Sequence, residues 1–318
     1  MRGTGEEEAR REMVAIARLY YEHGLTHQQI AAEKGLSRIK VTRLLAQARA
    51  AGVVEVTISG AEEPFSDLAE QVAERYALDR AWISPVDTPD ERRTAIAGAN
   101  CLEHHLSASR VVAVGLSSTL AAAGEALGTR GTVREEGGPG FAPMAGGWGG
   151  WQEGLNPVEL AAKLASHFGG RSYAFPAPLL APSEEFAAVL QHLPEVEGAL
   201  GLAASADTLL FSVGGLDWGM SALQGSIGAG ERDELVRQGA VGDISGRFFN
   251  RSGGPVESSV DRRAIGMTLG QMRAVPTRIL LGHGQRKFEA LQAALTSRMA
   301  TVLCTDSVTA RALLGSSE

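Results

Sequence analysis

Apolar residues recur at helical spacing through most of the first fifty positions of the chain. From Met13 they repeat every three or four residues until Gly24, where a glycine can end the helix. Thr26 is typical of the N-cap of a short second helix, and Ser37 of the N-cap of a third helix that runs to about Ala50. Two capped helices joined by a glycine-containing turn have the anatomy of a helix-turn-helix.

The pattern changes after the third helix. Val53–Ser59 (VVEVTIS) alternates apolar and polar residues, which predicts a half-exposed strand and a winged-helix-like first unit. Gly60–Pro64 (GAEEP) combines small, acidic and proline residues, so we place a domain boundary there. The expected domains are residues 1–60 and 61–318.

Beyond this boundary, a helix at Phe65–Tyr76 is followed by short β-rich runs that alternate with helical stretches. The expected strands are Ala81–Ser84, Val111–Gly115, Phe141–Met144, Ser172–Phe175, Thr208–Val213, Ala240–Asp243, Ala264–Thr268, Arg278–Gly282 and Val302–Thr305. The expected helices are Thr119–Leu127, Pro157–Phe168, Glu184–Leu193, Gly230–Gln238, Arg286–Thr296 and Val308–Leu314. This alternation is typical of a doubly wound, mainly parallel α/β sheet.

Composition and charge place any contact with nucleic acid at the N-terminus. The chain has 318 residues and a net charge of −7, which argues against a protein that coats nucleic acid over its whole surface. Residues 1–60 carry nine Lys/Arg against seven Asp/Glu, a net +2, so the remaining residues carry −9. Two cysteines, Cys101 and Cys304, and the absence of a long apolar run predict a cytoplasmic protein without a disulfide framework or a membrane span.

The third helix carries polar residues on its outward side, as a recognition helix in the major groove does. The expected DNA contacts are Gln28, Ser37, Arg38, Lys40, Thr42 and Arg43. The alternative is an ordinary three-helix subdomain with a solvated charged face, because such helix pairs also occur in proteins that never bind DNA.

Five blocks in order along nearly the whole chain carry a family resemblance. They are LTHQQIAAEKGLSRIKVTRLLAQARAAGVV (25–54), VVAVGLSSTL (111–120), FAPMAGG (141–147), GAVGDISGRFFNRSGGPV (239–256) and ILLGHGQRKFEALQAALTSRMATVLCTDSVTARALL (279–314). With these blocks the chain resembles the SorC-type sugar-binding transcriptional regulators, sometimes grouped under the DeoR name. The resemblance implies an effector domain similar in fold to sugar-phosphate isomerases and deaminases. It also implies a phosphorylated sugar as effector, double-stranded operator DNA as partner, and a homo-oligomer, dimer or tetramer.

The block VVAVGLSSTL suits a phosphate group. A strand runs into Gly115, and Ser117, Ser118 and Thr119 fall where a helix begins, which offers backbone N–H groups and hydroxyl donors. Ser and Thr are also common helix caps in any α/β protein. The family resemblance makes phosphate binding the leading interpretation.

Two further positions are expected to contact the effector with charged side chains. Asp243 ends an expected strand, where doubly wound sheets bind ligands, and its carboxylate can accept hydrogen bonds from sugar hydroxyls. The resemblance places Lys287 near the phosphate or hydroxyls. Gly146 and Gly147 would let the backbone approach a ligand closely, although Ala145 stands where the family often has a polar residue.

Other residues leave two interpretations open. Arg247 can pair with a phosphate or with a nearby acid. His283 replaces a small residue expected from the family, and it either tunes effector preference or is structural. Trp148 and Trp151 either stack on a sugar or plug a loop against the core.

Two enzymatic alternatives compete with a regulator. Sugar-phosphate isomerase or deaminase activity needs an acid/base pair beside the phosphate, and Asp243 has no evident partner in the sequence. A dehydrogenase is dismissed, because GGWGGWQEG lacks the ordered GxGxxG turn that opens a helix. We therefore expect a non-enzymatic repressor of carbohydrate genes, with no cofactor, catalytic residue or metal.

Overall fold

Three helices form the first of two compact units, which are Met1–Ala61 and Glu62–Glu318. The structure is a computed structural model, and it describes residues 3–54, 65–85, 91–128, 130, 136–147, 156–216, 223 and 226–315. The helices are α1 (Gly3–Tyr21), α2 (His27–Lys34) and α3 (Arg38–Ala50). The expected boundary at Gly60–Pro64 and residues 55–59 of the expected strand lie outside the described residues, and Val53 and Val54 are not in a strand.

Local sequence explains the ends of these helices. Thr26 caps α2 in a reciprocal arrangement with Gln29, and Gly35 ends α2 in the left-handed conformation, with φ of 62°. The Ser37 hydroxyl accepts the Lys40 N–H at 3.1 Å and so caps α3. The helix α1 begins ten residues earlier than expected, because its glutamates, arginines and alanine are good helix formers. The small core between the helices consists of Ile16, Ala17, Ile30, Val41, Leu44, Leu45 and Ala48.

The second unit is a mixed α/β domain. Its strands are β1 (Arg80–Ser84), β2 (Val111–Val114), β3 (Gly140–Pro143), β4 (Arg171–Ser172), β5 (Thr208–Phe211), β6 (Gly214–Gly215), β7 (Ala240–Ile244), β8 (Arg247–Asn250), β9 (Thr277–Leu281) and β10 (Val302–Asp306). Its helices are α4 (Ser66–Tyr76), α5 (Glu91–Leu106), α6 (Ser118–Gly128), α7 (Pro157–Phe168), α8 (Glu184–Gln191), α9 (Pro194–Ala204), α10 (Ala229–Arg237), α11 (Ser259–Arg263), α12 (Leu269–Ala274), α13 (Phe288–Thr296) and α14 (Ser307–Gly315), with a 3-10 turn at Gln285–Lys287.

The main sheet is parallel, in the order β1-β10-β9-β5-β2-β3-β4. Successive residues of its strands enter opposite cores: Val112 and Val114 pack with α5, α6 and α7, whereas Ala113 packs on the other face. From β2 the chain moves through β3 to β4 and then returns to β5 on the other side of β2. The crevice at the carboxyl ends of β2 and β5 is therefore the topological switch point, where doubly wound sheets bind ligands.

The expected strand at Ala240–Asp243 exists, but it does not belong to the parallel sheet. It pairs antiparallel with β6 and β8 in a separate three-stranded sheet. Ser245 and Gly246, with φ of 47° and 82°, form the two-residue turn between β7 and β8. Positive φ at both positions is the signature of a tight hairpin.

Two expected strands are largely wrong. Strand β4 is only Arg171–Ser172, and residues 173–175 are not in a strand. The segment Ala264–Thr268 makes isolated bridges, from Ala264 to Leu180 and from Gly266 to Ala145, instead of a strand. None of the described helices is long and apolar enough to cross a bilayer.

Candidate functional site

The carboxyl end of β2 lies directly against β5. The Gly115 N–H donates to the Leu210 carbonyl at 2.7 Å. A Cβ at Gly115 would lie 3.0 Å from the Met144 sulfur and 3.1 Å from that carbonyl, so the tight packing favours glycine. Gly115 thus fixes the direction in which the chain enters α6.

The start of α6 combines hydroxyl groups with a helix N-terminus. The Ser117 hydroxyl accepts the Leu120 N–H at 3.1 Å, so Ser117 acts as the cap of this helix. Ser118 is exposed and Thr119 is half-buried. The first N–H groups of a helix lack intrahelical acceptors and favour negative charge. Ser118 and Thr119 therefore bring two hydroxyls to a position that suits an anion.

Lys287, Thr119 and Asp243 converge at this crevice from three distant segments. Lys287 ends the 3-10 turn that follows β9, and its Nζ lies 3.4 Å from the Thr119 Oγ1. Asp243, on β7, is buried, and its Oδ2 accepts the Gly246 N–H at 2.9 Å. Burial raises the pKa of Asp243, while the Gly246 N–H and the positive charge of Lys287 act against that rise.

A glycine provides the space for the Asp243 carboxylate. A Cβ added to Gly214, the β6 residue paired with Asp243, would lie 2.2 Å from Asp243 Oδ1. The chain that leaves β5 thus passes over the carboxylate at Gly214. Because β6 follows β5 closely and pairs with β7, both β6 and β7 lie near the carboxyl end of β5.

Gly146 and Gly147 follow β3, and their backbone is bound to protein segments. The Gly147 N–H donates to the Ala177 carbonyl at 3.0 Å, and the Gly147 carbonyl accepts the Leu179 N–H at 2.6 Å. A Cβ at Gly146 would lie 2.2 Å from the Pro178 carbonyl oxygen. The close approach that these glycines permit is thus to residues 177–179, and a ligand contact at Gly146 or Gly147 stays a prediction.

Arg247 pairs with an acid, the second of the two expected alternatives. It contacts Asp261 at 3.0 Å and also donates to four backbone carbonyls. His283 lies 3.6 Å from Asp306 and lines a small pocket beside Ser118 and Thr119. Trp148 and Trp151 lie outside the described residues.

One candidate residue was missed by the sequence reasoning. Ser212, immediately after β5, is 5% exposed, and its hydroxyl has no hydrogen-bond partner among the residues that the structure describes. Like Gly115 after β2, Ser212 is the first residue after the carboxyl end of its strand. The only sequence signal was a polar residue at the end of a buried strand (TLLFS).

The expected DNA contacts differ in their surroundings. Gln28, Arg38 and Arg43 are exposed. Lys40 forms a 2.9 Å ion pair with Glu12 of α1. Ser37 caps α3, and the Thr42 hydroxyl lies within hydrogen-bond distance of the Arg38 carbonyl and the His27 ring.

The fold defines a class of protein: a helix-turn-helix unit joined to a doubly wound α/β domain, which has a polar, charged crevice at the carboxyl ends of β2 and β5. The family model described as "Putative sugar-binding domain" matches residues 63–315. The Transcriptional regulator LsrR of Klebsiella pneumoniae (strain ATCC 700721 / MGH 78578) is 31% identical over 314 residues, which cover 96% of this chain and 94% of that protein. The protein of the same name from Escherichia coli (strain K12) is 29% identical over 326 residues, with coverage of 99% and 96%.

Solved structures show the same architecture. The full-length sorbitol operon regulator SorC from Klebsiella pneumoniae superposes with a TM-score of 0.73 at 22% identity, covering 96% of this chain and 98% of that one. The chain belongs to the SorC/DeoR-type family of sugar-binding transcriptional regulators. The expected family and the mixed α/β fold with its mainly parallel sheet are thereby confirmed.

Proposed function

We propose that this regulator binds a phosphorylated sugar in the crevice at the carboxyl ends of β2 and β5. The observation that carries the proposal is the contact of Lys287 with Thr119 beside Asp243. A cation, hydroxyl donors and a helix N-terminus suit the phosphate, and a carboxylate suits the sugar hydroxyls. A ligand that contacts both Lys287 and Asp243 has to carry acceptor oxygens at one end and hydroxyl donors at the other.

The expected effector contacts are Gly115, Ser117, Ser118, Thr119, Gly146, Gly147, Asp243 and Lys287. Of these, Ser118, Thr119 and Lys287 present polar groups that are at least partly accessible. We add Ser212 to the set, because a buried hydroxyl without a partner costs free energy that a ligand hydrogen bond would recover.

On the DNA side we propose that α3 enters the major groove of an operator. Arg38 and Arg43 provide the main contacts. Secondary contacts come from Gln28, Ser37, Lys40 and Thr42. A homo-oligomer, dimer or tetramer, would present paired units to half-sites about 34 Å apart or a multiple of it. Effector binding would change the spacing of the paired helix-turn-helix units in the oligomer. This change would release or strengthen repression in the cytoplasm.

A thermal-shift titration tests the effector site. Phosphorylated sugars, their unphosphorylated parents and inorganic phosphate are added to the full-length protein. A binding ligand at a hundred times its Kd stabilises the folded state by about 2.7 kcal/mol. We expect stabilisation by at least one sugar phosphate and little by its parent sugar.

Two matched variants locate the binding. Lys287→Met should weaken the ligand at least tenfold, whereas Lys163→Met, which removes an exposed lysine paired with Glu125, should not. Stabilisation that persists unchanged in Lys287→Met would remove this crevice from consideration.

A gel-shift experiment tests the DNA site with the upstream region of the chain's own gene. Arg43→Ala should weaken binding by about 1–3 kcal/mol for each guanine with which the Arg43 guanidinium pairs. Arg49→Ala, in the last turn of α3, is the control because recognition helices use their N-terminal part. Equal binding by Arg43→Ala and the unmodified protein would show that the recognition helix is misassigned.

The enzymatic alternative is not favoured, since the relatives are transcriptional regulators. Turnover of a sugar phosphate by the purified protein, abolished by Asp243→Asn, would restore it.

A further inference from the structure

The most exposed large apolar side chain of the described residues lies on the proposed recognition helix. Ile39 is 82% exposed, and the next in order, Val189, is 61% exposed. Ile39 is the second residue of α3, directly after Arg38. Recognition helices contact base edges with this N-terminal turn.

Helical spacing puts Ile39 on the outward stripe of α3. The inward stripe is Val41, Leu44, Leu45 and Ala48, all buried. Thr42 and Arg43, three and four positions after Ile39, share its face and are exposed. In α3, Ile39 therefore lies next to Arg38 in sequence and one turn before Arg43.

Neither helix propensity nor packing accounts for isoleucine at this position. A β-branched side chain is a poorer helix former than Ala, Gln, Lys or Arg, and an exposed one gains little from burial within the unit. Single exposed apolar residues are ordinary on protein surfaces. The position of Ile39, flanked by cations at the start of α3, distinguishes it from the others.

The chemistry around Ile39 matches duplex DNA. Its immediate surroundings are positively charged, and the unit as a whole carries a net +2 over residues 1–60. The major groove lies between two rows of phosphates, and its most prominent apolar feature is the 5-methyl group of thymine. Guanidinium groups contact phosphates or guanines, whereas an aliphatic side chain makes its most favourable contact with that methyl group.

On the basis of the proposed DNA-binding function, we infer that Ile39 is a specificity-determining residue that contacts a thymine 5-methyl group in the major groove. It reads one thymine in each half-site. The neighbouring arginines supply affinity and register, and Ile39 supplies discrimination at that base pair.

The first step of the test selects duplexes from a randomised 30-base-pair library with the full-length protein, Ile39→Ala and Gln47→Ala. Gln47 is an exposed residue in the last turn of α3 and serves as the control. Alanine at the exposed position 39 favours the helix, so the variant keeps the fold. We expect Ile39→Ala to lose preference for thymine at one position of each half-site, while Gln47→Ala selects the same sequence as the unmodified protein.

The second step replaces each thymine of the selected duplex by uracil, which removes only the methyl group. Uracil at the assigned position should weaken the unmodified protein and Gln47→Ala about fourfold per half-site, the change expected for one buried methyl group. Ile39→Ala should bind both duplexes equally.

The outcomes separate the two proposals. If no protein selects a sequence above background, the proposed DNA-binding function fails and the inference fails with it. If a sequence is selected but uracil weakens no complex, or weakens the Ile39→Ala complex equally, only the inference about Ile39 is overturned. Loss of all binding in Ile39→Ala, with a protein partner captured by the same face, would also overturn it.

Discussion

Replacement of Arg247 by methionine should destabilise the second unit without removing a ligand contact. Arginine has five N–H donors. In this structure Nε donates to the Met267 carbonyl, Nη1 to the carbonyl and the carboxylate of Asp261, and Nη2 to the carbonyls of Ala264 and Gly266, at 2.8–3.3 Å. All five donors are engaged, and none is left for a phosphate.

The magnitude follows from burial. The Arg247 side chain is 10% exposed, and methionine keeps its aliphatic stem but leaves the acceptors without the guanidinium. Removal of one partner of a buried ion pair costs about 3–5 kcal/mol. In a domain of this size each kcal/mol lowers Tm by about 2–4 °C, so a loss of roughly 6–20 °C is expected.

Arg251 offers a matched control a few residues further on. Its side chain is 83% exposed and pairs with Glu289, so Arg251→Met should cost no more than about 1 kcal/mol. Urea and thermal denaturation measure both variants. Equal destabilisation by the two substitutions would refute the reasoning. At a temperature where Arg247→Met remains folded, its effector affinity should stay within a few-fold of the unmodified protein, and a tenfold loss would make Arg247 a ligand contact.

Two more predictions concern buried polar groups. Ser212→Ala should raise the free energy of unfolding of the ligand-free protein by about 1 kcal/mol, because it removes an unsatisfied buried hydroxyl. The same substitution should lower effector affinity, which calorimetry would measure. The control Ser166→Ala, at an exposed position, should change neither the stability nor the affinity. A Ser212→Ala protein that is less stable than the unmodified one would show that the Ser212 hydroxyl has a partner. Burial lowers the pKa of His105 to about 4. The unfolded chain then binds a proton that the folded protein does not, so the contribution of His105 to stability is present above pH 6.5 and is lost as the pH falls toward 4. Melting curves at pH 7.5 and 5.0 should show a smaller loss of Tm in His105→Gln than in the unmodified protein or in the exposed-site control His192→Gln; equal losses in all three would exclude this role.

The parallel sheet was predictable because its strands are short apolar runs separated by helices. The position of β7 was not, because an apolar run carries no information about its partners. The turn Ser245–Gly246 was a local signal for a hairpin, and it would have paired β7 with β8.

The error at Ala264–Thr268 has a different cause. This segment (AIGMT) is a short apolar run like a buried strand, but its Ala264, Gly266 and Met267 carbonyls accept from the Arg247 guanidinium. A side chain from β8 thus replaces the neighbouring strand that the pattern implied. Such a long-range partner leaves no trace in the local periodicity.

Part of the candidate site could be predicted from the sequence: Thr119 and Asp243 from their positions near strand ends, and Lys287 from the family resemblance. The structure brings these three residues together, and their contact with a ligand stays a prediction. Lys40 shows where the prediction was incomplete. Lys40 was expected to point outward without a partner in the unit. Glu12 was not considered as a partner, because the helix α1 was expected to begin only at Met13. With α1 extended to Gly3, Glu12 lies in the helix and forms an ion pair with Lys40.

This ion pair bears on how the regulator would recognise DNA. With Lys40 paired and the Thr42 hydroxyl bound within the unit, each α3 offers mainly Arg38, Ile39 and Arg43 to a duplex. Few cations mean few released counterions, and hence weak non-specific attraction to DNA. The net charge of −9 on residues 61–318 weakens that attraction further. A single helix-turn-helix unit would then bind poorly. In the proposed homo-oligomer, operator affinity would depend on two such units bound to one duplex, where the second contact is intramolecular. A change in their spacing would remove most of that gain, which is why a small effector could control the complex.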